Sequence, residues 1–473
     1  MKKMLPVFCI ILLFNLPLFS QEVDTAWVRR YSGPGQSHDV AHGLCIDREG
    51  NLFVTGSTVT VKYTSNGDQL WVGQFGGNDL AIDESDNVYV TGSGGTTRYD
   101  ASGNLLWTRP WSSSTAKKPV DYWMPQAIAL ALDNSGNICV TGMFHTGSSL
   151  ECVTIKYYPD GDTAWVTQTN AGNQVNGGFD IAVDASENLY VTGVTGHTNG
   201  YDRLTIKYYP NGDTAWVRTY IPDIGPGTPY AMWGVAVTVD DSGNVYTTGL
   251  GVTLKYDASG NLQWADKLNG YDIALNSSGT IYLTGMSDSL DYLTAKCYPN
   301  GDTAWTKIYD GPGNDWDQAN SIALDSLGNV YVTGGSTGST TGYDYATMKY
   351  DPSGNRLWLV RFDGPAHNED FATDIAIDAQ GNVYVTGSSL DITGDENYVT
   401  IKYLPSPFLR GDVNGDAKLT VTDVVYLINY LFKGGPKPDP LKSGDANCDS
   451  KVTISDVVFL VNYLFKDGPS PSC

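Results

Sequence analysis

The sequence predicts an all-β, eight-bladed β-propeller, with four-stranded antiparallel blades and closure between the first and last strands, followed by a small α-helical module. Two repeated phrases and one duplication lead to this fold class. A phrase ending in Thr-Gly occurs eight times between residues 47 and 387, and a second phrase ending in Trp alternates with it. The segment after residue 410 is a separate duplication. Repetition on this scale indicates stacked supersecondary units rather than one continuous core.

The composition supports a folded, turn-rich and acidic protein. Of 473 residues, 41% are hydrophobic and 53 are glycine, which argues against disorder and against a coiled coil. Lys and Arg number 29 against 52 Asp and Glu, so the formal charge is −23. Phosphate backbones and anionic membranes require basic surfaces. We therefore expect no nucleic-acid partner.

The first 20 residues have the pattern of a secretory signal peptide. Lys2 and Lys3 precede an apolar run over residues 5–19, and Ser20 ends it. No later apolar run is long enough to span a bilayer. We therefore expect the mature chain to be secreted, without membrane insertion, and to act outside the cell or at the cell surface.

The two phrases each predict a β-hairpin. Copies of the first begin at residues 47, 83, 133, 184, 240, 276, 325 and 378, so successive units lie 36 to 56 residues apart. Each phrase holds two β-rich runs around a turn that contains Gly, Asn or Asp. Two hairpins make a four-stranded blade, and the spacing is typical of propellers.

The ends of the repeat region predict how the ring closes. The last unit lacks its Trp strand, whereas the chain after the signal peptide opens with an isolated Asp24-Thr25-Ala26-Trp27. Together they complete one blade, and closure removes the exposed sheet edges of an open array.

The phrases resemble the SBBP-type β-propeller repeat over residues 21–405. The resemblance implies the propeller fold and an exported setting. We expect the recurring Trp and Tyr side chains to pack between blades and the turn aspartates to cap their own turns. Four cysteines are expected to be free, packed thiols: Cys45, Cys139, Cys152 and Cys297.

The variable links predict the binding face. Links after Thr-Gly and after the Trp strand vary in length, and in an up-and-down blade both lie on one face. Aromatic residues in these links suit stacking on sugars or anchoring a protein, or alternatively fill the central channel. The candidate ligand-face residues are Trp111, Tyr122, Trp123, Tyr230, Trp233 and Trp316.

Signals for catalysis are weak, and we assign no catalytic residue. Residues 334–338 match Gly-x-Ser-x-Gly, but no helix follows to form a nucleophile elbow. Four carboxylates on the variable face could serve as an acid and base pair, although neighbouring carboxylates are expected in so acidic a chain. They are Asp315, Asp317, Glu369 and Asp370.

The C-terminal segment repeats itself with an offset of 33 residues. After a linker at residues 406–410, the module at residues 411–473 contains two loops with oxygen-bearing side chains at alternate positions, each leading into an amphipathic helix. Calcium requires six to eight oxygen ligands from such a loop. The predicted ligands of two calcium ions are Asp412, Asn414, Asp416, Lys418 (through its carbonyl), Thr420 and Asp423, then Asp445, Asn447, Asp449, Lys451 (likewise), Thr453 and Asp456.

Each loop lacks an entering helix and is therefore half of an EF-hand. The usual Gly of loop position 6 is Ala417 in one copy and Ser450 in the other, so the calcium affinity is expected to be reduced. A module this small buries little apolar surface, and its folding should require the metal.

The module is similar to a type I dockerin. That resemblance implies docking onto a cohesin domain of a scaffolding or cell-surface protein, with contacts at Val421, Thr422, Ile454 and Ser455. The alternative is a calcium-stiffened tail with no cohesin partner. Cys448 and Cys473 are the only cysteines outside the propeller of the mature chain, and a disulfide between them is a further hypothesis.

Together these features predict a non-catalytic binding subunit that a calcium-dependent dockerin delivers to an extracellular assembly. The rival interpretation is a polysaccharide-degrading enzyme, a glycoside hydrolase or lyase of a cellulosome-like system, with its site on the propeller loop face.

Overall fold

The architecture comes from a computed structural model of the chain. It describes residues 23–33, 38–111, 126–145, 149–169, 175–197, 200–221, 236–249, 251–405, 410–415, 419–449, 451–466, 468 and 471. The predicted signal peptide and most of the predicted linker lie outside these residues. The chain divides into two compact units, one at Val23–Pro405 and the other containing Ser406–Cys473.

The first unit consists of eight four-stranded antiparallel blades, as predicted, and one parallel residue pair, Leu150 opposite Val175, also joins the sheets of the third and fourth blades. The strands of the first four blades are β2 Ala41–Ile46, β3 Leu52–Gly56, β4 Thr60–Tyr63 and β5 Gln69–Gly73; β6 Asp79–Ile82, β7 Val88–Gly92, β8 Gly95–Tyr99 and β9 Leu105–Arg109; β10 Gln126–Leu132, β11 Ile138–His145, β12 Leu150–Tyr157 and β13 Thr163–Thr169; β14 Val175–Val183, β15 Leu189–His197, β16 Gly200–Tyr208 and β17 Thr214–Tyr220.

The other four blades follow the same order. Their strands are β18 Ala236–Val239, β19 Val245–Thr248, β20 Thr253–Tyr256 and β21 Leu262–Asp266; β22 Asp272–Leu275, β23 Ile281–Met286, β24 Tyr292–Cys297 and β25 Thr303–Tyr309; β26 Asp317–Leu324, β27 Val330–Thr337, β28 Tyr343–Tyr350 and β29 Arg356–Phe362; β30 Asp370–Ile377, β31 Val383–Leu390, β32 Glu396–Pro405 and the N-terminal β1 Val23–Tyr31.

The ring closes through the N-terminal strand. β1 pairs antiparallel with β32, from Val23 opposite Pro405 to Tyr31 opposite Tyr398. The first strand of each blade contacts the first strand of the next, and β30 contacts β2 to complete the circle. The closure predicted from the isolated Asp24–Trp27 segment is confirmed, so the eighth blade combines strands from both ends of the repeat region.

The repeated turn of the first hairpin is built by an aspartate in seven blades and by Asn276 in the sixth. The Asp47 carboxylate accepts hydrogen bonds from the backbone N–H groups of Glu49 and Asn51, at 3.0 and 2.8 Å. Gly50 has φ of 80°, a conformation that side-chain-bearing residues rarely adopt. The predicted capping role of the turn aspartates is confirmed here, and these residues are structural.

The recurring tryptophan joins neighbouring blades. The indole N–H of Trp71 in the first blade donates to the carbonyl of Ala101 in the second, at 3.3 Å. Trp107 of the second blade donates in the same way to Pro159 of the third, at 3.1 Å. The repeat aromatics are therefore packing residues, as predicted. The four propeller cysteines are free thiols, and three of them are buried.

The second unit contains two helices of equal length, α1 Val421–Lys433 and α2 Ile454–Lys466, with a short 3-10 helix at Leu441–Gly444. Leu427 and Leu460, at matching positions of the two helices, are fully buried in their common core. Arg410, which the sequence assigned to the linker, is buried and donates to the carbonyl of Asp445 at 2.6 Å, so it belongs to this unit. Among the described residues, no helix is long and apolar enough to cross a membrane.

Candidate functional site

The first acidic loop of the C-terminal unit is organised by two buried aspartates. Asp412 accepts the N–H of Gly415 at 2.8 Å. Asp423, which is fully buried, accepts the N–H of Thr420 at 2.8 Å and thereby caps the start of α1. The carboxylates at positions 1 and 12 of the loop are therefore both held by its own backbone.

The second loop repeats this arrangement. Asp445 accepts the N–H of Asp449 at 3.1 Å, and the fully buried Asp456 accepts the N–H of Thr453 at 2.7 Å before α2. Asp456 also accepts the N–H of Asn447 at 3.1 Å. The contacts of Asp423 and Asp456 at position 12 correspond in the two copies, whereas the position-1 aspartates accept from N–H groups one residue apart in the loop.

The chemistry of these residues fits a hard divalent cation. Asp412, Asp423, Asp445 and Asp456 are each at most 7% exposed, which places four carboxylates inside a small unit. Buried carboxylates require compensating charge, and carboxylate and amide oxygens are the ligands that calcium prefers. Arg410 compensates one of them through an ion pair with Asp445 at 3.0 Å. The predicted ligands Asp416 and Lys418 lie outside the described residues, as do Ala417 and Ser450.

Left-handed backbone occurs in these loops at position 4. Gly415 has φ of 75° in the first loop, and Cys448 has φ of 63° at the same place in the second. From the sequence, left-handed backbone is expected at position 6, which is Ala417 or Ser450 and lies outside the described residues. Cys448 forms a disulfide bond. Its predicted partner Cys473 lies outside the described residues, so that pairing stays a prediction.

The two helices present matched apolar side chains to solvent. Val421 and Ile454 are each 53% exposed, and their neighbours Thr422 and Ser455 are exposed as well. The surface continues along both helices, which was not predicted from the sequence although the helical spacing i, i+4, i+11 could have revealed it. The additional exposed residues are Val425, Phe432, Val458 and Phe465.

The acidic loops contact this surface directly. The amide N–H group of the Asn414 side chain donates to the Thr422 hydroxyl at 3.1 Å, and that of Asn447 donates to the Ser455 hydroxyl at 3.1 Å. Each predicted metal-ligating asparagine therefore positions a residue of the exposed helix face.

On the propeller, Trp111 does not belong to an exposed ligand face. It is 6% exposed, packs in a core cluster with Phe144 and donates its indole N–H to the carbonyl of Met143 at 3.2 Å. This is a correction: Trp111, at the start of the link, packs against the third blade, and this contact buries its ring. Trp316 is 42% exposed and remains a candidate. The other aromatic candidates Tyr122, Trp123, Tyr230 and Trp233 lie outside the described residues.

Two of the four candidate carboxylates on the variable face are buried. Asp317 accepts the N–H of Gly311 at 2.5 Å, and Asp370 accepts the N–H of Gly364 at 2.6 Å. Burial raises the pKa of both carboxyl groups. Asp315 and Glu369 are exposed. These contacts give Asp317 and Asp370 a role in holding the links between blades.

The serine of the Gly-x-Ser-x-Gly match is also buried. The Ser336 hydroxyl accepts a hydrogen bond from the Arg361 guanidinium at 2.5 Å. Ser336 lies at the end of β27, in a strand rather than in a strand-to-helix turn. Residues 334–338 therefore match the nucleophile motif in sequence but do not form a nucleophile elbow.

Three solved structures show a partial likeness to this chain at low sequence identity. The polysaccharide lyase Uly1 is 11% identical, with a TM-score of 0.41, over 79% of this chain and 91% of its own. A eukaryotic initiation factor is 11% identical, with a TM-score of 0.40, over 70% and 91%. A protein of unknown function from Bacteroides caccae is 13% identical, with a TM-score of 0.35, over 58% and 93%. Curated proteins give no match.

Family models match both units. The type I dockerin domain matches residues 410–465, which includes both acidic loops and both helices. The SBBP beta-propeller repeat matches residues 304–346 and 364–391, within the last three blades. The chain therefore combines an eight-bladed propeller, whose last three blades match the SBBP repeat, with a C-terminal unit that matches the type I dockerin domain.

Proposed function

We propose that this protein is a secreted binding subunit, which its dockerin attaches to a cohesin domain of an extracellular or cell-surface assembly. The observation that carries this proposal is the pair of matched apolar faces on α1 and α2, centred on Val421 and Ile454. Exposed apolar side chains grouped on a small unit favour a protein partner. The predicted signal peptide at residues 1–20 directs secretion of the chain.

Calcium supports this surface in the proposal. Two ions, one in each loop, compensate the buried carboxylates at positions 1 and 12, among them Asp423 and Asp456. Asn414 and Asn447 each donate an amide N–H group to a hydroxyl of the helix face. In this proposal their side-chain oxygens are ligands of the ions, and Oδ1 of Asn447 also accepts the N–H of Asp449 at 3.1 Å. Ion binding therefore orders the loop and the docking hydroxyls together.

The propeller acts as a non-catalytic display in this proposal. Its hairpin turns and repeat aromatics hold the blades together, so the variable links are left to bind a ligand. Trp316, 42% exposed, offers a partly exposed ring there, as does Phe75, 37% exposed, in the link between the first and second blades. The indole of Trp316 is suited to a neutral ligand such as a polysaccharide.

A cohesin-binding assay with the full chain tests the docking. Immobilised cohesins should retain the protein in calcium and release it in chelator. The double variant Val421→Asp with Ile454→Asp should lose binding, because it places a charge in each apolar face. Leu327→Asp is the matched control, since Leu327 is a 79% exposed apolar residue on the propeller. Retention of the double variant, or of wild type in chelator, would contradict the proposal.

A further inference from the structure

Three aspartates meet at the junction of the seventh and eighth blades. Asp344 belongs to β28, Asp370 begins β30, and Asp363 lies in the link between the two blades. One carboxylate oxygen from each lies within 4.8 Å of the others. All three positions are on the variable-link face, where β28 and β30 begin.

Two oxygens of this cluster are buried without a hydrogen-bond partner. They are Oδ1 of Asp344 and Oδ1 of Asp370, in residues that are 4% and 1% exposed. An ionised oxygen that is removed from water and receives no donor is strongly unfavourable. Two such oxygens in one cluster indicate a cation that supplies the missing contacts.

The charges of the neighbouring groups match a divalent ion. Arg361 pairs with Oδ2 of Asp344 at 2.7 Å and neutralises one of the three negative charges, which leaves a formal charge of −2. Asp363 is exposed and gives access from solvent. His367 contacts Asp363 through Nδ1 at 2.6 Å, on the solvent side.

The preceding junction provides an internal comparison. Asp291, Asp310 and Asp317 occupy the equivalent positions between the sixth and seventh blades. There, both oxygens of Asp317 are satisfied, Oδ2 by the N–H of Gly311 at 2.5 Å and Oδ1 by that of Thr337 at 2.9 Å. Among the described residues of this junction, no carboxylate oxygen is left buried without a partner.

We propose that Asp344, Asp363 and Asp370 bind a calcium ion on the propeller, separate from the dockerin loops. Three carboxylates supply three to six oxygen ligands, and water can complete the shell from the side of Asp363. The ion holds the link between the seventh and eighth blades to β28. Because it belongs to the other compact unit, this site does not depend on the docking proposal.

Calorimetric titration of calcium into the full chain tests the site. The background is Asp412→Ala with Asp445→Ala, which removes a predicted ligand from each dockerin loop. This protein should still bind one ion. Adding Asp344→Asn should abolish the heat of binding, whereas adding Asp291→Asn, the equivalent change at the preceding junction, should leave it unchanged.

A second variant separates loss of the ion from loss of the fold. Asp363→Asn changes an exposed ligand, so the calcium-free protein should keep the melting temperature of the background and bind calcium more weakly. Absence of any ion uptake by the background, or uptake that survives Asp344→Asn and Asp363→Asn unchanged, would overturn the proposal.

Discussion

The indole N–H of Trp27 donates a hydrogen bond to the backbone carbonyl of Ser65, at 3.2 Å. Trp27 lies on the N-terminal strand of the eighth blade, and Ser65 lies in a hairpin turn of the first. Trp27 and Ser65 lie where the first and last blades meet, and this junction is called the ring seam. Equivalent hydrogen bonds occur at two other blade junctions, from Trp71 to Ala101 and from Trp107 to Pro159. The ring seam is therefore stabilised by the same type of hydrogen bond as these two blade junctions.

The seam bond predicts a large effect of Trp27→Ala on stability. Trp27 is 9% exposed and packs against Tyr63 and Tyr384, so its truncation leaves a cavity between two blades. The free energy of unfolding of the propeller should fall by about 3–5 kcal/mol. Chemical denaturation measures this change. Leu327→Ala, at an exposed site, is the control, and equal stability of the two variants would show that β1 does not secure the ring.

The inner strands predict a dependence of stability on pH. Asp180 accepts the N–H groups of Ile181 in its own blade and Val237 in the next, at 2.8 and 2.7 Å. Burial raises its pKa to about 8. The folded state therefore holds this proton more tightly than the unfolded state, in which the pKa of an aspartate is about 3.9. The contribution of Asp180 to stability is present below that value and is lost as the pH rises to about 8.

Asp180→Asn should therefore destabilise the propeller more at pH 4.5 than at pH 8.5. The difference in unfolding free energy between wild type and variant should shrink by at most about 1.4 kcal/mol per pH unit. Asp240→Asn is the control. Burial opposes ionisation of Asp240, but the hydrogen bonds from Asn244 outweigh it and lower its pKa, so this variant should show no such trend. A difference for Asp180→Asn that is constant with pH would refute the assignment.

The buried Arg203 predicts a stabilising substitution. Its side chain is 3% exposed, its Nε and Nη1 atoms have no hydrogen-bond partner, and burial lowers its pKa to about 10. Arg203→Met removes the buried charge and keeps most of the volume. We expect the free energy of unfolding to rise by about 1–4 kcal/mol, the range found when buried ion pairs are replaced by apolar groups.

Thermal denaturation measures this gain. Arg48→Met is the matched control, because the Arg48 side chain is 73% exposed and its loss should change little. A lower melting temperature for Arg203→Met than for Arg48→Met would mean that the guanidinium is needed in the fold.

Much of the fold could be predicted from the sequence because each blade repeats the same physical solution. The turn aspartates and the repeat tryptophans occur in one blade after another, so one interpretation applies to many copies. The isolated Trp27 strand is recognised because it matches the strand that the last unit lacks. The burial of Trp111, which was expected to be exposed, shows what the sequence does not predict. Its position in a long link was evident, but whether a link folds back onto a sheet depends on contacts with a neighbouring blade.

The candidate sites divide in the same way. The dockerin loops are local, and alternating oxygen-bearing residues such as Asp412 and Asn414 reveal them. Asp344, Asp363 and Asp370 come from two blades and the link between them. Their spacing recurs at Asp291, Asp310 and Asp317, but it matches no metal-binding loop, and it does not tell which of the two trios leaves oxygens without a partner. The orphaned Oδ1 of Asp344 is a property of packing, which only the structure displays.

We expect calcium to order the C-terminal dockerin, whereas the propeller is folded with or without the ions of the dockerin loops. Hydrogen exchange of the full chain, followed by mass spectrometry with and without chelator, tests it most directly. We predict that peptides from α1 and α2 are protected in calcium and exchange rapidly in chelator, while peptides from β2–β5 do not change. Equal protection of both helices in the two conditions would contradict the claim.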